Sequence, residues 1–448
     1  MRFDPTRREF LGTAGAAGAA LGSSPSALAA AITTEPARRP QVAAVCTTYF
    51  YLSHAYHIVG RFLDGFVIHD ARGEVLHKPN FDIASLFIDQ TPTATDLGLA
   101  TAKRHNVPVF GTIAEALTLG TDKLAVDAVL LVGEHGDYPL NAKGQKLYPR
   151  GKFFNRICDV FEKSGQSVPV FNDKHLSYDR REGLAMVARA HKLKAPFMAG
   201  SSLPVTWRQP ELEIPLGRPM SEALVVSHGS FELFGFHALE TLQCMTERRD
   251  RKGKPQGVAA VTCLVGDAVW HAGEQGVWSR ELLDAALSRA TSRNIGDMKQ
   301  NCRDYHIPKN ADASMVSGPI AFVVDYVDGL RATVLLLDGH VADTTVAVRL
   351  GGVAPSIVST LVYLPLPPGA RFFDPLVLRI EEFFRNGKPR YPVERTLLTG
   401  GILDAAHDSR ALNGKRLATP ELASIDYEAP ADSGFMRAPL GGIQTNRM

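Results

Sequence analysis

The sequence predicts two domains in series. A doubly wound α/β domain with a parallel sheet runs from Gln41 to about Ser202, and an α+β domain with a mostly antiparallel sheet covers 203 to 427. Three observations predict this. Between Gln41 and Ser202, short apolar runs alternate with segments of helical periodicity, the pattern of βαβ units. After Trp207, strand-like runs follow one another across Asp-Gly turns, the mark of hairpins. With a leader set aside, about 415 residues are left, enough for two or three domains.

The leader comes first. Thr6-Arg7-Arg8-Glu9-Phe10-Leu11 puts two arginines before an Ala- and Gly-rich run from Leu11 to Leu21, and Ala27-Leu28-Ala29 is a small-x-small cleavage site. The run is shorter and less apolar than the ~20 residues of a membrane-spanning helix. Arg-Arg-x-Phe-Leu is similar to the twin-arginine consensus, which implies export of an already folded protein to the periplasm. Residues 1–31 therefore stand outside the fold.

In the first domain, Gln41–Cys46 reads as a buried strand and His54–Leu63 as a helix with Ile58, Val59, Phe62 and Leu63 on one side. A loop or hairpin spans His69–Asn80. Phe81–Ile88 is the next strand, Thr95–His105 a helix and Val107–Phe110 a short strand. Thr112 caps a short helix over Ile113–Leu119, with Glu115 at the capping-box position. Strands at Val126–Val132, Val168–Phe171 and Pro196–Ala199 alternate with helices at Phe153–Ser164 and Arg181–Leu193. Ligands of such sheets sit at the carboxyl ends of the strands, which singles out Thr47, Asp89, Gly133 to His135 and Asn172 to His175.

In the second domain, Ala223–Ser227 is a strand and Phe236–Arg248 is helical. Val258–Val265 and Ala268–Ala272 read as strands around Gly266-Asp267. Ile320–Tyr326, Arg331–Leu337 and Thr344–Leu350 are strands joined at Asp328-Gly329 and Asp338-Gly339. Phe372–Arg385 and Arg395–Ser409 are helices, and 428–448 is a tail.

Composition narrows the function classes. With 49 basic and 47 acidic residues and no basic block, nothing points to nucleic acid or to an anionic membrane surface. Cys46, Cys158, Cys244, Cys263 and Cys302 lack C-x-x-C spacing, so a thiolate metal site is not expected. Folding in the cytosol before export would keep all five reduced. Glu134, His135 and Asp137 read as a polar active-site loop, and His54 and His57 lack the further ligands of a zinc pattern. No metal is expected. No nucleophile elbow surrounds Ser201-Ser202 or Ser227 to Ser230.

The order of these pieces resembles the glucose-fructose oxidoreductase, inositol dehydrogenase and MocA-like family over about Gln41 to Tyr427. Four segments carry the resemblance: Val126–Val132, Phe171-Asn172-Asp173-Lys174-His175-Leu176, Gly235-Phe236-His237-Ala238-Leu239-Glu240, and Phe383 to Ser409. The second stands where the family has Glu-Lys-Pro, and the third resembles its Gly-x-His-x-x-Asp stretch. The resemblance implies a Rossmann-like domain binding NAD or NADP, a substrate domain, and hydride transfer at a sugar or cyclitol carbon. By analogy, an open second sheet implies a face-to-face homo-oligomer.

It also implies site residues. Lys174 aligns with the catalytic lysine, His237 would meet a substrate hydroxyl, and Glu240 joins the substrate set. Without that frame, Lys174 is equally a surface lysine and His237 a core histidine beside Phe236 and Leu239. Asp89 would accept from the adenosine ribose, favouring NAD, or else is a turn residue; its distance from the first strand needs an insertion. Thr47, Gly133 and His135 would border the dinucleotide. Arg208 would clamp a substrate hydroxyl or carboxylate, or pair across the domain interface. Two departures stand out. Thr47-Thr48-Tyr49-Phe50-Tyr51 replaces the glycine-rich turn that lets backbone approach the pyrophosphate. Leu233 occupies a position where an Asp is frequent, with Glu232 adjacent as a substitute if the helix register shifts. Three functions follow: an NAD(P)-dependent oxidoreductase on a sugar-like substrate, a glycosidase-type enzyme using transient oxidation and elimination, or a non-catalytic carbohydrate-binding descendant.

Overall fold

The structure, a computed structural model, describes residues 38–70, 73–309, 315–352, 355–365 and 367–438. The twin-arginine segment lies outside the described residues. The first sheet is built from β1 (Gln41–Cys46), β4 (Asp82–Ile88), β5 (Ala128–Val132), β6 (Val170–Asp173) and β7 (Phe197–Gly200), all parallel, in the order β4-β1-β5-β6-β7. Val109 bridges Leu86 in parallel and marks a sixth position at the edge. With it, the order becomes that of dinucleotide-binding sheets, reversing between β1 and β5. Near-continuous Val, Leu and Ala in β1 and β5, buried on both faces, are what such a parallel sheet requires.

Helices α1 (His54–Asp64), α2 (Gly98–His105), α3 (Ile113–Thr118), α4 (Arg150–Ser164) and α5 (Arg180–Lys192) cover its faces. Thr112 accepts from the Glu115 N–H at 3.1 Å, as the capping pattern predicts. A hairpin of β2 (Phe66–Asp70) and β3 (Gly73–His77) separates α1 from β4, and this is the insertion that distances Asp89 from β1.

The second sheet has eight strands in the order β15-β10-β11-β12-β9-β13-β14-β8. They are β8 (Trp207–Gln209), β9 (Met220–Ser227), β10 (Val258–Val265), β11 (Ile320–Tyr326), β12 (Arg331–Leu336), β13 (Thr344–Leu350), β14 (Ser356–Tyr363) and β15 (Leu417–Ala418). Only β9 and β12 pair in parallel. The inner face packs on α6 (Leu233–Thr246) and α11 (Val393–Ala411), while α10 (Phe373–Asn386) packs back onto α1 and the first sheet. From Arg39 onward the chain is a single unit.

Two expectations are corrected. Ala268–Ala272 is not a strand but part of α7 (Asp267–Glu274), because Gly266, at φ 64°, ends β10 and lets Val269 and Trp270 turn into a core as a helix face. The outer face of the second sheet is not open either. Helix α7, with α8 (Arg280–Leu287) and α9 (Met298–Asp304), covers its middle strands, burying Leu224, Val226, Leu335 and Ala347 against Trp270, Leu282 and Leu283. The ground for a face-to-face oligomer therefore falls. All five cysteines are buried and unpaired. Among the described residues, no helix is long and apolar enough to cross a membrane.

Candidate active site

The carboxyl ends of β6 and β7 place Lys174 at the junction of the two domains. Lys174 takes a left-handed backbone, φ 70°, and its N–H donates to the Gly200 carbonyl at 3.0 Å. This hook turns the side chain inward, where it is only 2% exposed and its Nζ meets His237 Nε2 from the first turns of α6. Burial pushes the Lys174 pKa down, with Glu134 and Asp173 opposing. Burial, then the charge of Lys174, hold His237 well below the ordinary histidine value. A neutral His237 accepts at Nε2 and carries its proton on Nδ1, a buried atom without a protein partner.

Both side chains face a cleft of about 620 Å³ between the sheets. Its floor is Asp173 and Lys174, and its walls include Phe234, Tyr363, Phe372 and Phe373. His54 also lines it, and its Nδ1 lies 2.7 Å from Asp173 Oδ2. The pair is an aspartate–histidine dyad: the carboxylate fixes the tautomer and leaves Nε2 for the cleft. Sequence reading missed it. His54 opens α1 and Asp173 ends β6, and only the parallel order of the strands brings them together.

A second group lies behind Lys174. Arg150 donates to the Glu134 carboxylate in a fully buried pair and approaches His175 at 3.1 Å. Burial works against the Glu134 carboxylate, yet Lys174 and Arg150 outweigh it and hold its pKa below the usual range. Glu232 reaches this group and not the cleft. It accepts from the Lys146 N–H at 2.8 Å and stands 3.7 Å from His175, beside a cavity of about 10 Å³, the size of one water. The helix register keeps Leu233, not Glu232, on the cleft, which corrects the substitution expected of Glu232.

Four other expected residues serve as supports. Arg208 is a correction: it is buried, donates to the Leu212 carbonyl at 2.7 Å, and lies over the Phe435 ring, away from the cleft. Glu240 is another. Its carboxylate accepts from the Ser201 N–H and Oγ at 2.6 and 2.7 Å, so it positions a serine that lines the cleft. Burial raises its pKa to about 7 against those hydrogen bonds. Thr47 Oγ1 donates to the Glu134 carbonyl at 2.8 Å, tying β1 to the β5 loop. Gly133 makes room for Arg150: a Cβ there would stand 2.6 Å from Arg150 Cγ.

A second cavity, about 650 Å³, opens at the ends of β1, β4 and β5, lined by Thr48, Phe50, Gln90 and Asp137 among others. Exposed Asp89 ends β4 beside it and accepts from the Tyr138 hydroxyl at 2.7 Å. Between the two cavities stands His135, edge-on to His54 and Phe50, with a buried Nε2 that no protein group meets. Burial, then His54, lower its pKa to about 4, so it is neutral. The crevice, Asp89 and the orphaned His135 nitrogen fit a dinucleotide lying across β1 and β5. The β1–α1 turn fits less closely, because Leu52 holds φ 66° with a side chain attached and the half-buried Phe50 flanks the amino end of α1. Among the described residues, no group of three or more His, Cys, Asp or Glu is placed to hold a metal ion.

No protein-family model matches the sequence, and no curated protein matches it significantly. Solved structures do. GenD2 from gentamicin A biosynthesis, in complex with NAD, has a TM-score of 0.52 at 14% identity, over 85% of this chain and 96% of its own. The myo-inositol 2-dehydrogenase from Lactobacillus plantarum has a TM-score of 0.50 at 12% identity, over 85% and 99%. An oxidoreductase from Agrobacterium radiobacter, in complex with NAD+, L-tartaric acid and magnesium, has a TM-score of 0.50 at 11% identity, over 85% and 98%. At these identities the likeness is one of fold. Both sheets and their order considered, the chain has the two-domain fold of the glucose-fructose oxidoreductase, inositol dehydrogenase and MocA-like dehydrogenases.

Proposed function

We propose that this chain is an NAD(P)-dependent oxidoreductase acting on a hydroxyl of a sugar-like substrate, exported by the twin-arginine route. One observation carries the reading: a buried lysine, in contact with a neutral histidine, faces a substrate-sized cleft that adjoins a dinucleotide crevice. The GenD2 and Agrobacterium structures, which hold NAD in this fold, support it.

Asp89 would hold the ribose, its negative charge favouring NAD over NADP, and His135 Nε2 would meet the cofactor between the two cavities. A bound nicotinamide would supply the hydride acceptor. Lys174, its pKa lowered by burial, takes the hydroxyl proton on Nζ as the carbon becomes a carbonyl, and His237 Nε2 receives a hydrogen bond from the resulting ammonium. His54, oriented by Asp173, offers a route for that proton toward solvent, being 14% exposed.

The same dyad favours a second reading, a glycosidase-type cycle of oxidation and elimination. Elimination needs a second proton acceptor beside the first, and His54 is one. Native mass spectrometry of the exported protein tests the cofactor, and nicotinamide absorbance with sugars, polyols and glycosides tests the reaction. Retained dinucleotide with net reduction supports the first reading. Glycoside cleavage without net reduction supports the second. No dinucleotide, retained or added, removes both.

A further inference from the structure

The lining of the cleft narrows the substrate beyond "sugar-like", and the narrowing rests on the cleft being the substrate site. Phosphate groups are held by arginine, lysine or free helix amides. No arginine is among the described residues that line the cleft. The one lysine among them is Lys174, buried against His237 and flanked by Glu134 and Asp173. Three helices begin at the cleft. In α6, Phe234 and Gly235 donate to the Ser230 carbonyl; in α10, Phe373 and Asp374 donate to those of Ala370 and Arg371; in α1, Tyr56 donates to Ser53 Oγ and His57 to the Ser53 carbonyl. The carboxylates at the rim and floor, Asp343 and Asp173, add negative field.

What the cleft offers instead is ring faces and hydroxyls. Phe234, Tyr363 and Phe372 are half-buried on its walls, with Leu364 and Val362 between them. Phe234 pairs with His228 at 4.8 Å and Phe372 with Phe373 at 4.8 Å, so each of these two rings is held by an aromatic neighbour. Ser201 and Ser202 stand beside Lys174, and Ser292 stands on the far wall. The volume, about 620 Å³, suits a drug-sized ligand. A single sugar ring would leave the apolar wall against water.

We propose that the substrate is an uncharged glycoside or polyhydroxylated ring carrying an apolar, aromatic substituent, and that sugar phosphates and nucleotide sugars are excluded. The hydroxylated ring lies over Lys174 and the serines, and the substituent lies between Phe234 and Phe372.

Calorimetry on the full mature protein tests this with p-nitrophenyl glucoside, p-nitrophenyl galactoside, glucose, galactose, glucose 6-phosphate and UDP-glucose as probes. At least one aryl glycoside should bind about tenfold more tightly than its parent sugar. The two phosphorylated probes should not bind. Phe372→Ala should remove the aryl advantage, and Phe372→Leu, which keeps apolar volume without a ring face, should reduce it severalfold if the alanine variant folds poorly. Absent binding of both aryl glycosides, equal binding of each aryl glycoside and its parent sugar, or tighter binding of either phosphorylated probe, overturns the proposal. Aryl-glycoside binding in protein that holds no dinucleotide removes the redox reading alone. Nicotinamide reduction by glucose 6-phosphate keeps the redox reading and removes this one.

Discussion

Lys174 and Glu240 are both buried ionisable groups, yet their surroundings assign them different work. Lys174 meets another base and the cleft, while Glu240 meets only donors. Lys174→Met keeps the length and apolar stem and deletes the proton acceptor, so turnover should vanish while dinucleotide affinity, measured by calorimetry, stays nearly unchanged. Glu240 should show itself in stability. Its pKa in the folded chain, about 7, lies above the ordinary carboxylate value of 4.5, so the folded state binds the extra proton. Its contribution is complete below the unfolded value and is lost as pH rises to about 7, on the order of 3 kcal/mol at most. Glu240→Gln should flatten that loss, checked by urea midpoints at about pH 5 and pH 8. The family resemblance is what singled out Lys174 and His237 in the sequence, because each sits in a short local segment similar to the family's. Sequence reading misplaced Arg208 and Glu232 and did not show that His54 pairs with Asp173. Whether a polar side chain faces a cleft or a carbonyl depends on contacts from distant segments.

At the scale of elements, α1 joins three parts of the site. Ser53 caps it, accepting from the Tyr56 and Phe50 N–H groups at 3.1 Å. His54 faces the cleft, and Arg61 bonds Asp374 at 2.7 Å while His57 stacks on Phe373, which fixes the start of α10 and its cleft rings. Leu52, just before the cap, is the strained point, since a left-handed non-glycine residue costs about 1 kcal/mol or more. Leu52→Gly should relieve that strain and bare the backbone, so NAD should bind more tightly by calorimetry. Unchanged affinity would show that the phosphates do not approach this turn. The apolar pattern of α1 was readable from its 3.6-residue period. Helix α7 was not, because the five residues Ala268 to Ala272 are too short a run to decide between periods, and Gly266 decides between them only in three dimensions.

At the scale of the molecule, the two domains are locked by α11, which packs on α5, β7, α6 and β10 together. The sequence gives this helix no strong amphipathic face, since it is buried nearly all round, so its joining role was not legible. Toward the first domain, its Asp404 and Asp408 accept from Arg180 at 2.7 Å. Within the second domain its buried polar anchor is Arg395, whose Nε donates to Glu247 Oε2 at 2.8 Å, with Tyr427 bonding the same oxygen at 2.9 Å. Both members of the pair are wholly buried. Such a pair gains little over apolar residues of the same shape, but removing one partner strands the other. Arg395→Ala should therefore cost on the order of 3–5 kcal/mol, read from urea unfolding. Arg395→Met combined with Glu247→Leu should cost less than Arg395→Ala alone. A double variant as unstable as the sum of its singles would mean that the two charges do not act as a pair.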